Sequence, residues 1–242
     1  MSFFSASSIC AGYGKKNILS DVSFSAEKGK LMGVLGANGC GKTTLLKCLC
    51  GILPHEGECT LLGERLEGLS SREIAKKCSY IPQRSGISIE ISALDVVLMG
   101  FNPNLGLLQH PGKKMRTAAK ETLELVGLGG REDDDYLSLS EGQKQLCILA
   151  RTLVSDANLL LLDEPLTSLD VVVAEEMKEL LRSLKDNRIT IFSTHLLDLA
   201  LDLCDEIVLL SHGELQIVGK ADLNNAEFKD KIIAALREDG NV

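Results

Sequence analysis

The sequence predicts an α/β fold with a mainly parallel sheet, an N-terminal antiparallel β region and an inserted helical segment. Strand-like and helix-like patterns alternate along most of the chain, which is typical of a sheet covered by helices. The run 159–162 is continuously apolar, as expected for a strand buried on both faces. A glycine-rich loop, GANGCGKTT, follows another short apolar strand and begins a helix at 42–50.

Composition supports a soluble domain with an ample core, since 45% of the 242 residues are hydrophobic and 25% are charged. The net charge of -8 argues against general affinity for nucleic acid or anionic lipid. The chain has neither an apolar run long enough to span a bilayer nor a signal-peptide pattern at its start. We therefore expect a cytoplasmic protein.

The eight cysteines show no CxxC pair and no ligand-like clustering with the four histidines. We therefore expect reduced core thiols rather than a disulfide or metal set. Cys40 lies in the glycine-rich loop beside a helix start that could favour its thiolate, although a tolerated small residue explains it equally simply.

The loop itself has the P-loop spacing of Gly36, Gly41, Lys42 and Thr43. Glycines allow successive backbone N–H groups to point inward around an anion, and the helix N-terminus adds positive potential. Lys42 would supply a full charge to the β- and γ-phosphates, and Thr43 a hydroxyl ligand for magnesium. The spacing therefore predicts a phosphate site.

The remaining elements before residue 86 combine strands with one helix. Strands are expected at 3–9 and 18–26 around a turn at 11–17, at 57–63 and at 79–83, with a helix at 70–78. Tyr13 stands between two glycines in the predicted turn. It either packs locally or stacks on a nucleotide base.

Residues 86–155 change in character, with helices expected at 93–99, 113–126 and 141–154 around a Gly/Pro/Asn-rich loop at 100–112. The acidic run 132–135 is interpreted as a solvated turn. Ser140 and Gln143 form a capping box for the third helix, whose apolar residues share one face. This start is either an ordinary cap or, with Gly142, a second anion-binding helix N-terminus.

Asp163 and Glu164 follow the apolar run directly, at the carboxyl end of a predicted parallel strand. Beside a P-loop, Asp163 can hold the magnesium shell, and Glu164 can activate water for attack on the γ-phosphate. His195 also lies just past a predicted strand, 189–193, where a γ-phosphate sensor would stand. Helices at 171–187, 196–203 and 221–236 and strands at 206–210 and 214–218 complete the pattern.

Six motifs in one order resemble the ATP-binding cassette (ABC) family of ATPases over essentially the whole chain. They are Tyr13 (adenine stack), GANGCGKT (Walker A), Gln83 (Q-loop), LSEGQ (signature), LLLLDEP (Walker B) with Ser168-Leu169-Asp170 (D-loop), and His195 (switch histidine). The resemblance implies one domain over 1–242. Its nucleotide-binding core comprises 1–85 and 156–242, and its helical subdomain, 86–155, carries the signature.

The resemblance implies an ATPase that closes as a head-to-tail dimer on ATP and Mg²⁺. It implies nucleotide contacts from Tyr13, Gly36, Ala37, Asn38, Gly39, Cys40, Gly41, Lys42, Thr43, Thr44, Ser140, Gly142, Gln143 and Asp170. It implies catalytic roles for Glu164, His195, Lys42 and Gln83, and metal contacts from Thr43, Gln83 and Asp163. The signature departs from the family at Glu141, where glycine is usual, and we expect this side chain to point away from the phosphates.

The segments SSREIAKKCSYIPQ and ISALDVVLMG look like ATPase subunits of importers for iron-siderophore, haem or cobalamin complexes, whereas FNPNLG departs from them. That resemblance implies permease subunits, an indirect substrate-binding receptor and a place on the cytoplasmic face of the membrane. The alternatives are a soluble scaffold ATPase, as in iron-sulfur assembly, or an exporter subunit. A chromosome or repair ATPase and a non-hydrolysing regulator are disfavoured by the short helical insertion and by the intact Lys42, Glu164 and His195.

Overall fold

The computed structural model describes residues 3–106, 108–167, 169–185, 188–218, 232 and 236. The strands are β1 (Phe4–Tyr13), β2 (Lys16–Ala26), β3 (Leu31–Leu35), β4 (Glu56–Leu61), β5 (Glu64–Arg65), β6 (Cys78–Ile81), β7 (Leu159–Asp163), β8 (Ile189–Thr194), β9 (Glu206–Ser211) and β10 (Glu214–Val218). The helices are α1 (Lys42–Leu49), α2 (Ser71–Lys77), α3 (Ala93–Leu98), α4 (Lys113–Leu125), α5 (Glu141–Leu153), α6 (Val171–Leu184) and α7 (Leu197–Leu203), with 3₁₀ helices at Met99–Asn104 and Tyr136–Ser138.

The N-terminal region is an antiparallel sheet of four described strands in the order β2-β1-β4-β5. The predicted seven-residue turn at 11–17 was wrong in extent, because strand pairing continues to Tyr13 opposite Lys16. Only Gly14 and Lys15 make the turn. The short strand β5, which is absent from the sequence interpretation, pairs with β4 after a tight turn.

The second sheet contains six described strands in the order β10-β9-β3-β8-β7-β6. All neighbours in it pair in parallel except β9 and β10, which form an antiparallel hairpin. The carboxyl ends of β3, β7 and β8 therefore meet at one edge of the sheet, where ligands of such folds bind. This edge carries the glycine-rich loop, the two acidic residues and His195.

The predicted helices of the segment 86–155 are confirmed by α3, α4 and α5, which pack against one another. Part of the predicted loop at 100–112 instead forms a 3₁₀ helix, Met99–Asn104. The acidic turn is less solvated than expected, because its backbone carbonyls accept hydrogen bonds from the start of α3 and Asp135 accepts one from Ile91. Of the predicted C-terminal helix, 221–236, all but Ile232 and Leu236 lie outside the described residues.

Two hydrophobic clusters lie on opposite faces of the parallel sheet. Alternate residues of β3 and β7 enter them in turn, as the two-residue period of a strand requires. One cluster receives Leu31, Leu35, Leu160 and Leu162, and the other receives Met32, Val34, Leu159 and Leu161. The first cluster continues into the helical segment, and the second fills the space between α1 and the antiparallel sheet.

The predicted thiol character of the eight cysteines is confirmed, and all except Cys10 are buried. The expectation that cysteines and histidines do not cluster was wrong, because His55, Cys59 and Glu67 bring their ligand atoms within 4.8 Å of one another. The hairpin of β4 and β5 folds Glu67 back beside Cys59, a proximity that residue spacing does not reveal. Among the described helices, none has both the length and the apolar character that crossing a bilayer requires.

Candidate functional site

The loop between β3 and α1 follows a backbone path that requires glycine at Gly36 and Gly41. A Cβ atom on Gly36 would lie 2.5 Å from the carbonyl oxygen of Leu210 and 2.6 Å from Cys40 Sγ. Gly41, immediately before α1, has a φ of 112°, which L-residues rarely adopt. Ala37, Cys40 and Thr44 are buried, whereas Asn38 is exposed. The loop therefore curls tightly at the N-terminus of α1, as an anion cradle requires.

Lys42 directs its ammonium group into this loop. Its Nζ donates hydrogen bonds of 2.8 Å to the carbonyl oxygens of Gly36 and Ala37. The same atom lies 3.3 Å from Glu164 Oε1, and both side chains are less than one-tenth exposed. A buried positive charge thus stands between the loop and the end of β7.

Asp163 lies at the end of β7, 2% exposed, with donors on both carboxylate oxygens. Thr43 Oγ1 donates to Oδ2 at 2.7 Å, Tyr80 donates to the same oxygen at 3.2 Å, and Ser193 Oγ donates to Oδ1 at 2.7 Å. Burial and the charge of Asp163 raise the pKa of Tyr80, so the phenol stays a donor. These contacts orient the carboxylate toward the threonine that begins α1.

Glu164 follows with a positive φ of 51°, which turns its side chain back toward the loop. Its Oε2 lies 2.7 Å from His195 Nδ1 and accepts a 2.8 Å hydrogen bond from Thr167. Its backbone N–H donates to Ser193 Oγ at 3.0 Å. The carboxylate is thus held from three sides, with Lys42 at one oxygen and His195 at the other.

Tyr80, Thr167 and Ser193 belong to this bonded group although the sequence interpretation does not include them. Ser193 is in register with Asp163 across β8 and β7, and Tyr80 lies in β6 on the opposite side of β7. Ser193 ends the predicted strand 189–193 two residues before His195, and a hydroxyl at the carboxyl end of such a strand is the signal that could have identified it. Tyr80 and Thr167 carry no comparable signal.

The other predicted residues lie around this group rather than within it, as far as the described residues show. Tyr13 is half exposed at the end of β1. Gln83 and Glu141 line a cleft of about 600 Å³ together with Thr167. The Glu141 side chain is 79% exposed and forms a 2.8 Å ion pair with Lys144. The positive charge of Lys144 offsets the negative charge of Glu141.

The predicted capping box at the start of α5 is confirmed, with Ser140 Oγ accepting from the N–H of Gln143 and the glutamine side chain accepting from Ser140 N. A Cβ atom on Gly142 would lie 2.9 Å from a Val173 methyl group, so α5 packs closely on α6 at this point. Asp170 caps α6 through two backbone N–H groups. Ser168 of the predicted D-loop lies outside the described residues.

Comparison of the sequence with known protein families assigns the chain to one of them. The family model for ABC transporters matches residues 19–167, more than half of the chain. The chain belongs to the ABC transporter family. This confirms the resemblance drawn from the motifs, and the protein is an ATP-binding ATPase of that family.

Several relatives of this ABC ATPase are subunits of transport systems. It is 37% identical over 186 residues to the zinc transport system ATP-binding protein TroB of Treponema pallidum, covering 76% of this chain and 68% of TroB. It is 35% identical to the manganese transport system ATP-binding protein MntB of Bacillus subtilis, over 84% and 80% of the two chains. It is 39% identical to an iron chelatin transport ATP-binding protein of Helicobacter pylori, over 69% of each.

Solved structures confirm the predicted fold of the ABC ATPase. An ATP-binding cassette of an ABC transporter in its ADP conformation superposes with a TM-score of 0.84 at 22% identity, covering 97% of this chain and 98% of the other. A metal-chelate type ABC transporter in an inward-facing conformation also gives a TM-score of 0.84, at 26% identity over 97% and 90% of the chains. With the family match and the sequence relatives, the protein is an ATPase subunit of an ABC transporter.

Proposed function

We propose that this ATPase powers the import of a metal ion or metal complex, through permease subunits that it joins on the cytoplasmic face of the membrane. The hydrogen-bonded group of Lys42, Glu164 and His195, beside Thr43 and Asp163, carries the proposal for ATP hydrolysis. The substrate class is supported by relatives named for zinc, manganese, iron chelatin and cobalamin transport. An iron-siderophore, haem or cobalamin complex is the narrower proposal from the sequence.

Each residue of the group has a separate role in hydrolysis. Lys42 binds the β- and γ-phosphates, because its ammonium is held at the centre of the loop. Glu164 orients the attacking water and accepts its proton, since its carboxylate lies beside Lys42 and its Oε2 is fixed by two neighbours. His195, one-third exposed, reaches from Glu164 toward the solvent side and contacts the γ-phosphate.

The oxygens of Thr43 and Asp163, 2.7 Å apart, suit a Mg²⁺ ion, which prefers hard oxygen ligands. Gln83 is the third protein residue that we propose near the ion. Such an ion would neutralise charge on the phosphates. Tyr80 and Ser193 hold the Asp163 carboxylate in place.

We propose that ATP is enclosed by two copies of the chain arranged head to tail. Ser140, Gly142 and Gln143 begin α5 and present a helix N-terminus to the phosphates bound by the other copy. The start of α6 beside Asp170 supports such an interface, because Val171 and Val172 are 86% and 68% exposed. Tyr13 is exposed and available to stack on the adenine ring.

Coupling to transport would use the cleft around Gln83. This residue and its neighbours Arg84, Ser85 and Ile87 line the cleft beside α5. A permease helix seated there would respond to bound nucleotide through Gln83. Nucleotide binding would then shift the contact between the ATPase and the permease.

The variant Glu164→Gln tests the hydrolytic role. We expect it to retain ATP binding, accumulate closed dimers and hydrolyse ATP about 100-fold more slowly, because one such contact contributes about 3 kcal/mol to the transition state. Glu214→Gln, on the exposed hairpin of β10, is the matched control and should hydrolyse normally. Unchanged turnover in Glu164→Gln would remove Glu164 from this role.

The substrate class is tested by measuring the metal content of cells in which Glu164→Gln replaces the native chain. We expect the cellular content of one transition metal, among zinc, manganese, iron and cobalt, to fall relative to cells carrying Glu214→Gln. If all four contents stay equal while purified Glu164→Gln is inactive, metal import is refuted and the ATPase role stands.

A further inference from the structure

Three potential metal ligands converge around β4. His55 lies just before β4, Cys59 lies within it, and Glu67 follows the β4–β5 hairpin. The hairpin brings Leu66 N–H onto the Cys59 carbonyl at 2.9 Å, which places the next residue beside the thiol. The cluster depends on tertiary folding, since its members are spread over thirteen positions of the sequence.

Two of the three separations between the ligand atoms are close to those of a tetrahedral metal site, and the third, between the Cys59 thiol and a Glu67 carboxylate oxygen, is at most 4.8 Å. His55 Nε2 lies 3.8 Å from Cys59 Sγ and 3.5 Å from Glu67 Oε1. A zinc ion with bonds of about 2.0–2.3 Å in tetrahedral geometry separates its ligand atoms by about 3.4–3.6 Å. Shifts of a few tenths of an ångström would bring the two separations from His55 to these values, and rotation of the Glu67 side chain, which is 24% exposed, would close the third.

The surroundings of the cluster fix its orientation. His55 Nδ1 donates to the carbonyl oxygen of Leu53 at 3.3 Å, which leaves the lone pair of Nε2 directed at Cys59 and Glu67. Glu67 Oε1 also accepts a hydrogen bond from the backbone N–H of Cys59. The imidazole is 8% exposed and the thiol is buried, so two of the three ligands are already desolvated.

An entry path exists beside the imidazole. His55, Pro54 and Glu56 form one side of an open cleft of about 510 Å³, and residues 10–12 and 14–17 of the first hairpin form the other. The Glu67 side chain is 24% exposed. A hydrated ion can therefore reach the cluster, and water can occupy the fourth coordination position.

We propose that His55, Cys59 and Glu67 bind a divalent transition metal of the zinc class, separate from the nucleotide-dependent Mg²⁺. One thiol and one imidazole favour Zn²⁺ or Co²⁺ over Mg²⁺, Ca²⁺ or Mn²⁺, which prefer oxygen ligands. Binding at the thiol releases its proton to solvent and forms the metal–sulfur bond. The ion would link the segment that follows α1 to the β4–β5 hairpin.

Titration of the purified full-length protein with Co²⁺, without nucleotide, tests the site. We expect a single equivalent to give the thiolate-to-cobalt absorption band, and Zn²⁺ to displace it. His55→Ala should abolish the band and weaken Zn²⁺ binding, measured by chelator competition, by about 100-fold or more. Glu67→Gln keeps the acceptor for the Cys59 N–H and should also weaken binding.

Matched controls separate this cluster from other thiols and imidazoles. Cys10→Ser changes a cysteine that lines the same cleft, and His110→Ala changes an exposed histidine. Both should retain the band and the Zn²⁺ affinity. The proposal is overturned if the wild type gives no thiolate band, if the band survives His55→Ala, or if Cys10→Ser removes it. Since His55 and Glu67 variants leave the buried thiol in place, the test does not depend on folding of a Cys59 variant.

Discussion

Ser193 joins the two acidic residues at the end of β7, and Ser193→Ala should strongly destabilise the protein. The serine is fully buried on β8, donates to Asp163 Oδ1 at 2.7 Å and accepts from the Glu164 backbone N–H at 3.0 Å. Loss of a hydrogen bond to a charged group costs about 1.5–3 kcal/mol, and an unsatisfied buried N–H costs about 1–3 kcal/mol. The free energy of unfolding should therefore fall by about 2.5–6 kcal/mol.

Thr190 provides a matched control on the same strand. Its side chain is also fully buried, but its hydroxyl has no hydrogen-bond partner among the residues that the structure describes. Thr190→Val removes this unsatisfied group and keeps the shape, so the free energy of unfolding should stay constant or rise by about 1 kcal/mol. Urea denaturation followed by circular dichroism measures the free energy of unfolding of both variants. The comparison holds when the slope of that free energy against urea concentration is unchanged. Equal losses in the two variants, or a loss below about 1 kcal/mol in Ser193→Ala, would refute the reasoning.

Three further predictions concern packing, metal dependence and pH. Gly142→Ala places a methyl group 2.9 Å from a valine on α6 and should lower the free energy of unfolding by about 1–3 kcal/mol, whereas Gly68→Ala, with open space around it, should not. Tyr80→Phe removes a donor from Asp163 and should raise the Mg²⁺ concentration for half-maximal ATP hydrolysis by about 10-fold, and an unchanged requirement would contradict its positioning role. Burial raises the pKa of Cys147 from 9.0 to about 12. The stability that this thiol contributes is complete below pH 9 and falls by about 1.4 kcal/mol per pH unit above it, so urea midpoints of Cys147→Ala should decline less steeply between pH 9 and 10.5 than those of the wild type.

The sequence predicted the parts of the fold that depend on local pattern. The strand-loop-helix around Lys42 and the capping box at Ser140 are specified by neighbouring residues, and the structure contains both. The turn at 11–17 was too long because β1 and β2 extend their ladder through residues with little strand propensity. Hydrogen bonds between the two strands hold these residues in the ladder, and the β propensity of single residues does not predict such pairing.

Residues that act across the sheet were harder to predict. Tyr80 reaches Asp163 only because β6 lies beside β7, and the strand order was not part of the sequence interpretation. The cluster of His55, Cys59 and Glu67 was missed for a related reason, since a hairpin turn creates it. In both cases the contact joins residues of different elements, and the hydrophobic periodicity of the sequence does not show which elements lie side by side.

The position of the Lys42 ammonium has a consequence for how tightly nucleotides are held. Two loop carbonyls and Glu164 already satisfy this cation from within the chain. An entering triphosphate must displace these internal partners, so its observed affinity is the difference between two sets of contacts.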